Sequence, residues 1–436
     1  MRIFDWQTLD PAQRRAALAR PEPQGRAEVH RVAQEVVHAV RQGGDSVLRT
    51  LTQRFDGVTL EALAVSADEF AAARAKITPA QIAALERAAR NVHAFHAAQL
   101  PQPLALEVEP GVRCERVIRP LSAVGLYVPA GSAPLPSAVI MLAVPARIAG
   151  CPTRVLCTPP ARDGNADPAV LVAAQLCGIE QVFKVGGAQA IAALAYGTQS
   201  IPKVDKIFGP GNVWVTAAKQ LVANDPQGAA YDLPAGPSEV MVVADDTARA
   251  DFVAADLLAQ AEHDPLAQAM LVTSSAQLAT QVNAAIASAL PGLKRRAILD
   301  QSLNACRCIV VADLETAVQV ANQYAPEHLL LEVEEPRRWL SAIHNAGAVF
   351  LGAWSPEPIG DYCSGANHVL PTYGHARALS GLSVRDFLKT ITVQEISPAG
   401  LRALGPTAVT LAMLEGLDAH AQAVTRRLAA LAGVSR

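Results

Sequence analysis

The chain has 436 residues, a net charge of −3, and 51% hydrophobic against 18% charged residues. That length suggests roughly two to four domains with ample core, and the composition excludes a disordered chain. The absence of any Lys/Arg run excludes a nucleic-acid or membrane-surface footprint.

Residues 1–10 carry neither the apolar stretch nor the small-residue cleavage site of a secretory signal. Asp10-Pro11 opens a short helix over 10–20, and 21–25 reads as a linker. Periodic Ala, Val, Leu and Ile predict long helices over 27–55 and 66–99. Extended runs follow at 104–108, 113–118 and 123–128, the last closed by a turn at 129–131. The longest apolar run, 138–146, contains Pro145 and is too short to span a bilayer. Strands at 154–157, 181–185 and 204–208 then alternate with helices at 168–176, 188–196 and 213–223. A second alternating set begins at 239–244 and continues through strands at 269–273, 307–311, 328–333 and 348–351. Such alternation means parallel βαβ units, here two Rossmann-like sets in series joined near 235–237. The tail differs. A short strand at 391–396 has no evident partner, Ser397-Pro398 caps a helix, and two further helical stretches run from 406 to the end. This Ala/Leu-rich tail is expected to pack on something else, such as another subunit. Seven scattered cysteines, odd in number, read as reduced thiols of a cytoplasmic protein.

Several residues can carry chemistry, and each has a plainer explanation. If the helix through 250–258 continues, Gln260 and His263 share a face and can supply part of a metal shell, or they are two surface residues. Gly186-Gly187-Ala188-Gln189 and Gly209-Pro210-Gly211-Asn212 both follow strands and open helices, which suits an anion or an ordinary tight turn. Neither is the dinucleotide fingerprint, since Trp214 stands at the third glycine position. Glu327-His328 at a strand entrance is an acid/base pair or a capping Glu beside a surface His, because neighbours in an extended chain point to opposite faces. Asp361 and His368 lie in a polar loop where either could ligate a metal or bond its own backbone. Glu415 and His420 would stand roughly 140° apart on one straight helix.

In order along the chain, the motifs at 186–190, 209–212, 235–239, 260–263, 326–329, 360–368 and 415–420 resemble those of histidinol dehydrogenases, over essentially the whole length. The resemblance implies a fold of two incomplete Rossmann-like parallel-sheet domains with helical N-terminal and C-terminal arms. The implied division is an arm at 1–21, one domain from 22–126 and 239–382, a second at 127–238, and a dimerisation arm at 383–436. It implies Gln260, His263, Asp361 and His420 as ligands of one Zn2+ per subunit. Glu327 and His328 become the catalytic pair, and Tyr127, Gln189 and Asn212 the NAD contacts. Ser238 and Glu415 become substrate contacts alongside His328 and the four ligands. The implied activity is NAD-dependent oxidation of L-histidinol to L-histidine through the aldehyde, in a cytoplasmic homodimer with shared sites. A dehydrogenase of another small alcohol, or a zinc hydrolase using the same ligands with Glu327, is the alternative. Serving one pocket with both Glu415 and His420 requires a break between them, which Gly416 can supply as a helix stop, with Asp418 starting the next helix.

Overall fold

Short apolar runs bounded by turn residues become strands. In chain order these are β1 (Arg2–Asp5), β2 (Leu104–Glu109), β3 (Val112–Pro120), β4 (Ala123–Tyr127), β5 (Thr153–Thr158), β6 (Gln181–Lys184) and β7 (Lys206–Phe208). They continue as β8 (Ala230–Tyr231), β9 (Glu239–Ala244), β10 (Gln268–Thr273), β11 (Arg307–Val310), β12 (His328–Glu332), β13 (Ala348–Leu351) and β14 (Leu388–Ile396). The computed structural model describes residues 1–21, 25–130, 133–234 and 236–433. The expected linker at 21–25, turn at 129–131 and join at 235–237 fall partly outside the described residues.

Two parallel sheets carry the fold. One has the order β1-β11-β10-β9-β12-β13, the other β6-β5-β4-β7-β8, and every pairing in both is parallel. In each, the chain steps outward from its founding strand, β9 or β4, and then returns to that strand's other side. The resulting switch points lie between β9 and β12 and between β4 and β7. β9, β10 and β12 are buried at every residue, as parallel strands covered on both faces must be.

By contacts, residues 1–99 and 121–387 form one unit, and 100–120 with 388–436 form another. In the second unit β14 pairs antiparallel with β3, which pairs with β2, and the helices Pro398–Leu414 and Asp418–Gly433 pack on each other. The tail strand therefore does have a partner, some 270 residues earlier in the chain. Residues 1–21 contribute a strand on the edge of the six-stranded sheet as well as the helix Pro11–Ala17. The helices over 26–97 pack mainly on those covering the five-stranded sheet, and they also reach the segment after Asp361, where Asn91 donates to the Cys363 carbonyl. Residues 123–126 are β4 of that same five-stranded sheet.

Local chemistry explains the remaining differences. The pattern over 66–99 splits into Ala67–Ala75 and Pro79–Ala97, because Thr78 caps a new helix whose first residue is proline. The run at 138–146 lies inside the helix Pro136–Ala149, and Pro406 sits inside Pro398–Leu414 without ending it. The break foreseen at Gly416 is present. The first helix ends at Leu414, Glu415 caps it, Gly416 takes φ 68°, and the next helix starts at Asp418.

A buried ion pair anchors the loop after β7. Lys219 Nζ donates to the Gly209 carbonyl at 2.5 Å and to Asp232 Oδ1 at 2.7 Å, and Asp232 Oδ2 accepts from the Gly209 N–H at 2.7 Å. Gly209 stands at φ 126°, and a Cβ there would lie 2.1 Å from the Tyr127 carbonyl oxygen. Lys219→Met leaves the buried Asp232 carboxylate without its cation. It should lower stability by about 3–5 kcal/mol, read by urea unfolding, and a loss below about 1 kcal/mol would contradict this account.

Candidate active site

A cluster of ionisable groups lies at the amino ends of β9 and β12 in the six-stranded sheet. His328, the first residue of β12, is 2% exposed. Its Nδ1 donates to the Glu239 carbonyl at 3.1 Å, and its Nε2 lies 3.2 Å from Asp361 Oδ1. The Glu327 carboxylate accepts from the Glu239 N–H at 2.8 Å and stands 3.6 Å from His328 Nδ1. The helix Glu357–Tyr362 brings Asp361 to His328, and its first residue, Glu357, lies 4.0 Å from His328 Nε2. His368 Nδ1 donates to the Asp361 carbonyl at 2.8 Å. Ser238 directly precedes β9 and is half-buried.

Gln260 lies in the last turn of the helix Ala250–Ala261 and is fully buried. His263 follows the helix end rather than continuing it, yet the two side chains still meet, with Gln260 Nε2 donating to His263 Nδ1 at 2.9 Å. Gln260 Oε1 and Glu357 Oε1 are buried with no hydrogen-bond partner. Burial lowers the His263 pKa, and Asp361, which opposes that effect, faces it. Two orphaned acceptors, nearby imidazoles and a carboxylate make an oxygen and nitrogen donor set that fits Zn2+. His328, Glu357 and Asp361 also present ligand atoms within 4.8 Å of one another. Both nitrogens of His328 are already engaged, so Asp361 is the group common to this cluster and to the expected ligand set.

Charge settles unevenly in this pocket. Burial raises Glu327 to about 8 and Glu357 to about 9, the latter helped by Asp361. Burial alone would depress His328, but Glu327 and the Asp361 hydrogen bond together push it up to about 10. Asp361 is held well below the usual carboxylate range: burial opposes this, and its hydrogen bond with His328, the charges of His328 and His368 and a hydrogen bond from Glu357 together outweigh burial.

The expected NAD contacts gather at the carboxyl ends of the other sheet. Tyr127 ends β4, is buried, and its hydroxyl accepts from the Gly187 N–H at 3.0 Å. Gln189 is buried in the first turn of the helix Gly187–Tyr196. Asn212 caps Val213–Ala223, its Oδ1 accepting from the Trp214 and Val215 N–H groups at 3.1 and 3.2 Å. Tyr127 and Asn212 flank the β4/β7 switch point, where open α/β sheets take ligands. Glu415 and His420 belong to the other unit and are exposed, on either side of Gly416.

Sequence reasoning left His368 without a role and missed Glu357 and Glu239. The carboxylates of Glu357 and Asp361 stand four apart on one helix, and that spacing was the available signal.

In metal-free protein the raised carboxyls set a pH dependence. Glu327, Glu357 and Glu332, the last also raised to about 8 by burial and by Asp256, keep protons that the unfolded chain has already released. Folding therefore takes up protons, and stability falls as pH rises from about 5 through about 9. His328 adds to the same trend, since its contribution is lost as pH rises through about 10. Chelated protein should melt lower at about pH 9 than at about pH 6, and Glu332→Gln should shrink the difference. A melting temperature that is flat or rises over that range would refute the assignment.

The pattern of the histidinol dehydrogenase family matches residues 19–428. A histidinol dehydrogenase from Xanthomonas euvesicatoria pv. vesicatoria is 53% identical over 428 residues, covering 98% of this chain and 99% of the relative. One from Vibrio vulnificus is 51% identical with 98% of each covered. The crystal structure of histidinol dehydrogenase from Elizabethkingia anophelis superposes with a TM-score of 0.95 at 42% identity, over 99% of this chain and 98% of that one. A match of this length and identity places the protein in the histidinol dehydrogenase family.

Proposed function

We propose that this oxidoreductase carries out the four-electron oxidation of L-histidinol to L-histidine through L-histidinaldehyde, the last steps of histidine biosynthesis. It works with NAD and one Zn2+ per subunit, as a cytoplasmic homodimer. The observation that carries the reading is the meeting of Glu327, His328 and Asp361 at the amino ends of β9 and β12 in a chain of this family. Gln260, His263 and Asp361 would hold the metal, with His420 supplied across the homodimer, and the same residues would face the substrate beside Ser238 and Glu415. When bound, zinc supplies a fixed charge that anchors the imidazole and amine of histidinol, and NAD supplies the hydride acceptor.

The protein's own groups divide the proton work. His328 Nδ1 is tied to the Glu239 carbonyl, so its Nε2 is the nitrogen that accepts the hydroxyl proton as hydride leaves. Glu327 and Asp361 both raise His328, and engagement of Asp361 by a metal would remove part of that support and shift His328 toward the free base. Glu327, with a pKa raised to about 8, is suited to take a proton from the water that hydrates the aldehyde. Tyr127, Gln189 and Asn212 would orient the nicotinamide cofactor at the β4/β7 switch point.

Support for the homodimer comes from the second unit, whose own surface carries apolar side chains. Leu411, Met413 and Leu414 are exposed beside the Gly416 turn, and Leu104, Leu106 and Val108 along β2. Apolar area of this kind on a soluble chain marks a contact surface. Among the described residues no helix is long and apolar enough to cross a membrane.

The direct test is nicotinamide absorbance. L-histidinol should yield two NADH per molecule consumed, and a chelator should abolish the signal. His263→Asn should lose bound zinc with the turnover, and a normal zinc content in that variant would remove His263 from the ligand set. A hydrolase would give no NADH from histidinol. The two chemical steps separate at Glu327. Glu327→Gln should slow aldehyde oxidation by about 10²-fold while affecting alcohol oxidation much less, and histidinaldehyde oxidised at the parent rate would rule Glu327 out of water activation.

A further inference from the structure

Glu239 touches both members of the acid/base pair without being one of them. Its N–H donates to Glu327 Oε2 at 2.8 Å, and its carbonyl accepts from His328 Nδ1 at 3.1 Å. The position of this one main-chain residue therefore sets two side chains at once. Its own side chain is fully buried and held from two directions. Arg20 grips it as a fork, Nε to Oε1 at 2.5 Å and Nη2 to Oε2 at 2.8 Å, and the Tyr373 N–H donates to Oε1 at 3.0 Å.

Arg20 also reaches the chain on the other side of the site. Its Nη2 donates to the Tyr324 carbonyl at 2.9 Å and the Ala325 carbonyl at 3.3 Å, and its guanidinium lies 3.8 Å from the centre of the Tyr324 ring. Ala325 stands two residues before Glu327. Among the described residues, Ala325 and Tyr373 are the non-glycine positions with positive φ, at 56° and 53°. Both are bonded to this ion pair, one through Arg20 and the other through Glu239. Strained backbone persists only where its surroundings over-determine it, and here the same two side chains do so at both places.

We propose that the Arg20–Glu239 fork is a positioning device for catalysis, fixing the Glu239 main chain and the turn at 324–326 so that Glu327 and His328 are presented together. This rests on the reading of Glu327 and His328 as the acid/base pair. A buried ion pair serving stability alone can be replaced by apolar residues at little cost. This one is directed, through Nε and Nη2 of one rigid plane, at a carboxylate and at two carbonyls that lead into the site.

Arg20→Lys separates the two roles. It keeps a cation beside Glu239 but cannot form the fork and reach the carbonyls together. The expected result is a kcat for NADH formation from L-histidinol lower by about tenfold or more, with KM for histidinol and NAD within about threefold and zinc content unchanged. Amide hydrogen exchange at Glu239 and Tyr373 should quicken by about tenfold, while amides in β5 keep the parent rate. If Arg20→Lys does not fold, Arg20→Met with Glu239→Gln leaves no unpaired charge, and kcat should stay low although the melting temperature recovers. A parent kcat in either variant, or unchanged exchange at Glu239 and Tyr373, overturns the proposal. A parent protein that forms no NADH from histidinol overturns the functional reading instead, and the exchange measurement still decides the positioning role.

Discussion

Three carboxyls close around one imidazole, with a fourth, Glu239, buried behind them, are the constraint on which this structure turns. A carboxylate removed from water must find donors, share a cation, or keep its proton, and the site uses all three. Glu239 is answered by Arg20 and the Tyr373 N–H, Glu327 by the Glu239 N–H, and Asp361 by His328. Glu357 keeps its proton to about 9 and leaves Oε1 without a partner, and Gln260 Oε1 is likewise orphaned. Unspent acceptors beside a carboxylate suit a divalent cation, which is the place given to the proposed Zn2+.

The two Rossmann-like halves place the residues proposed to do the work at opposite ends of their sheets. In the five-stranded half, Tyr127 and Asn212 stand at the carboxyl ends of β4 and β7, as the switch-point rule expects. In the six-stranded half the proposed acid/base pair stands at the amino ends, while at the carboxyl end the Asp245 N–H donates to the Glu332 carbonyl and its side chain accepts from the Glu334 N–H. The segment after Asp361 ties the halves together. Asn367 donates to the Met141 carbonyl and Asn91 to the Cys363 carbonyl, both at 2.8 Å. Asp361 is thus fixed by His328 on one side and by helices of the other half just beyond it.

What the sequence made legible follows the range of the interactions involved. Strand and helix alternation is local, so both parallel sheets could be read, as could the Gly416 stop, which depends on a few consecutive residues. The pairing of β14 with β3 could not, because the two strands are some 270 residues apart, β14 is largely exposed and β3 is mostly half-buried. The helices over 26–97 have apolar faces that fit either sheet layer, and only the folded chain decides which they cover. The ligand and acid/base positions came from ordered motifs, whereas Glu239 acts through its backbone and Arg20 acts across 219 residues. Neither role leaves a pattern in composition or spacing.

The adjacency of Glu327 and His328 shows how the fold overrides a local expectation. Neighbours in an extended strand face opposite ways, which argued against their acting together. The strand begins only at His328, however, and the chain enters it from a left-handed residue at Ala325. That entry turns Glu327 back toward β9, where the N–H and the carbonyl of a single residue, Glu239, receive the two side chains. One peptide unit on either side of an α-carbon thus brings two sequence neighbours within 3.6 Å of each other, Oε2 to Nδ1. The pair depends less on its own strand than on whatever keeps Glu239 in register with it, and the parallel pairing of His328 with Val240 sets that register.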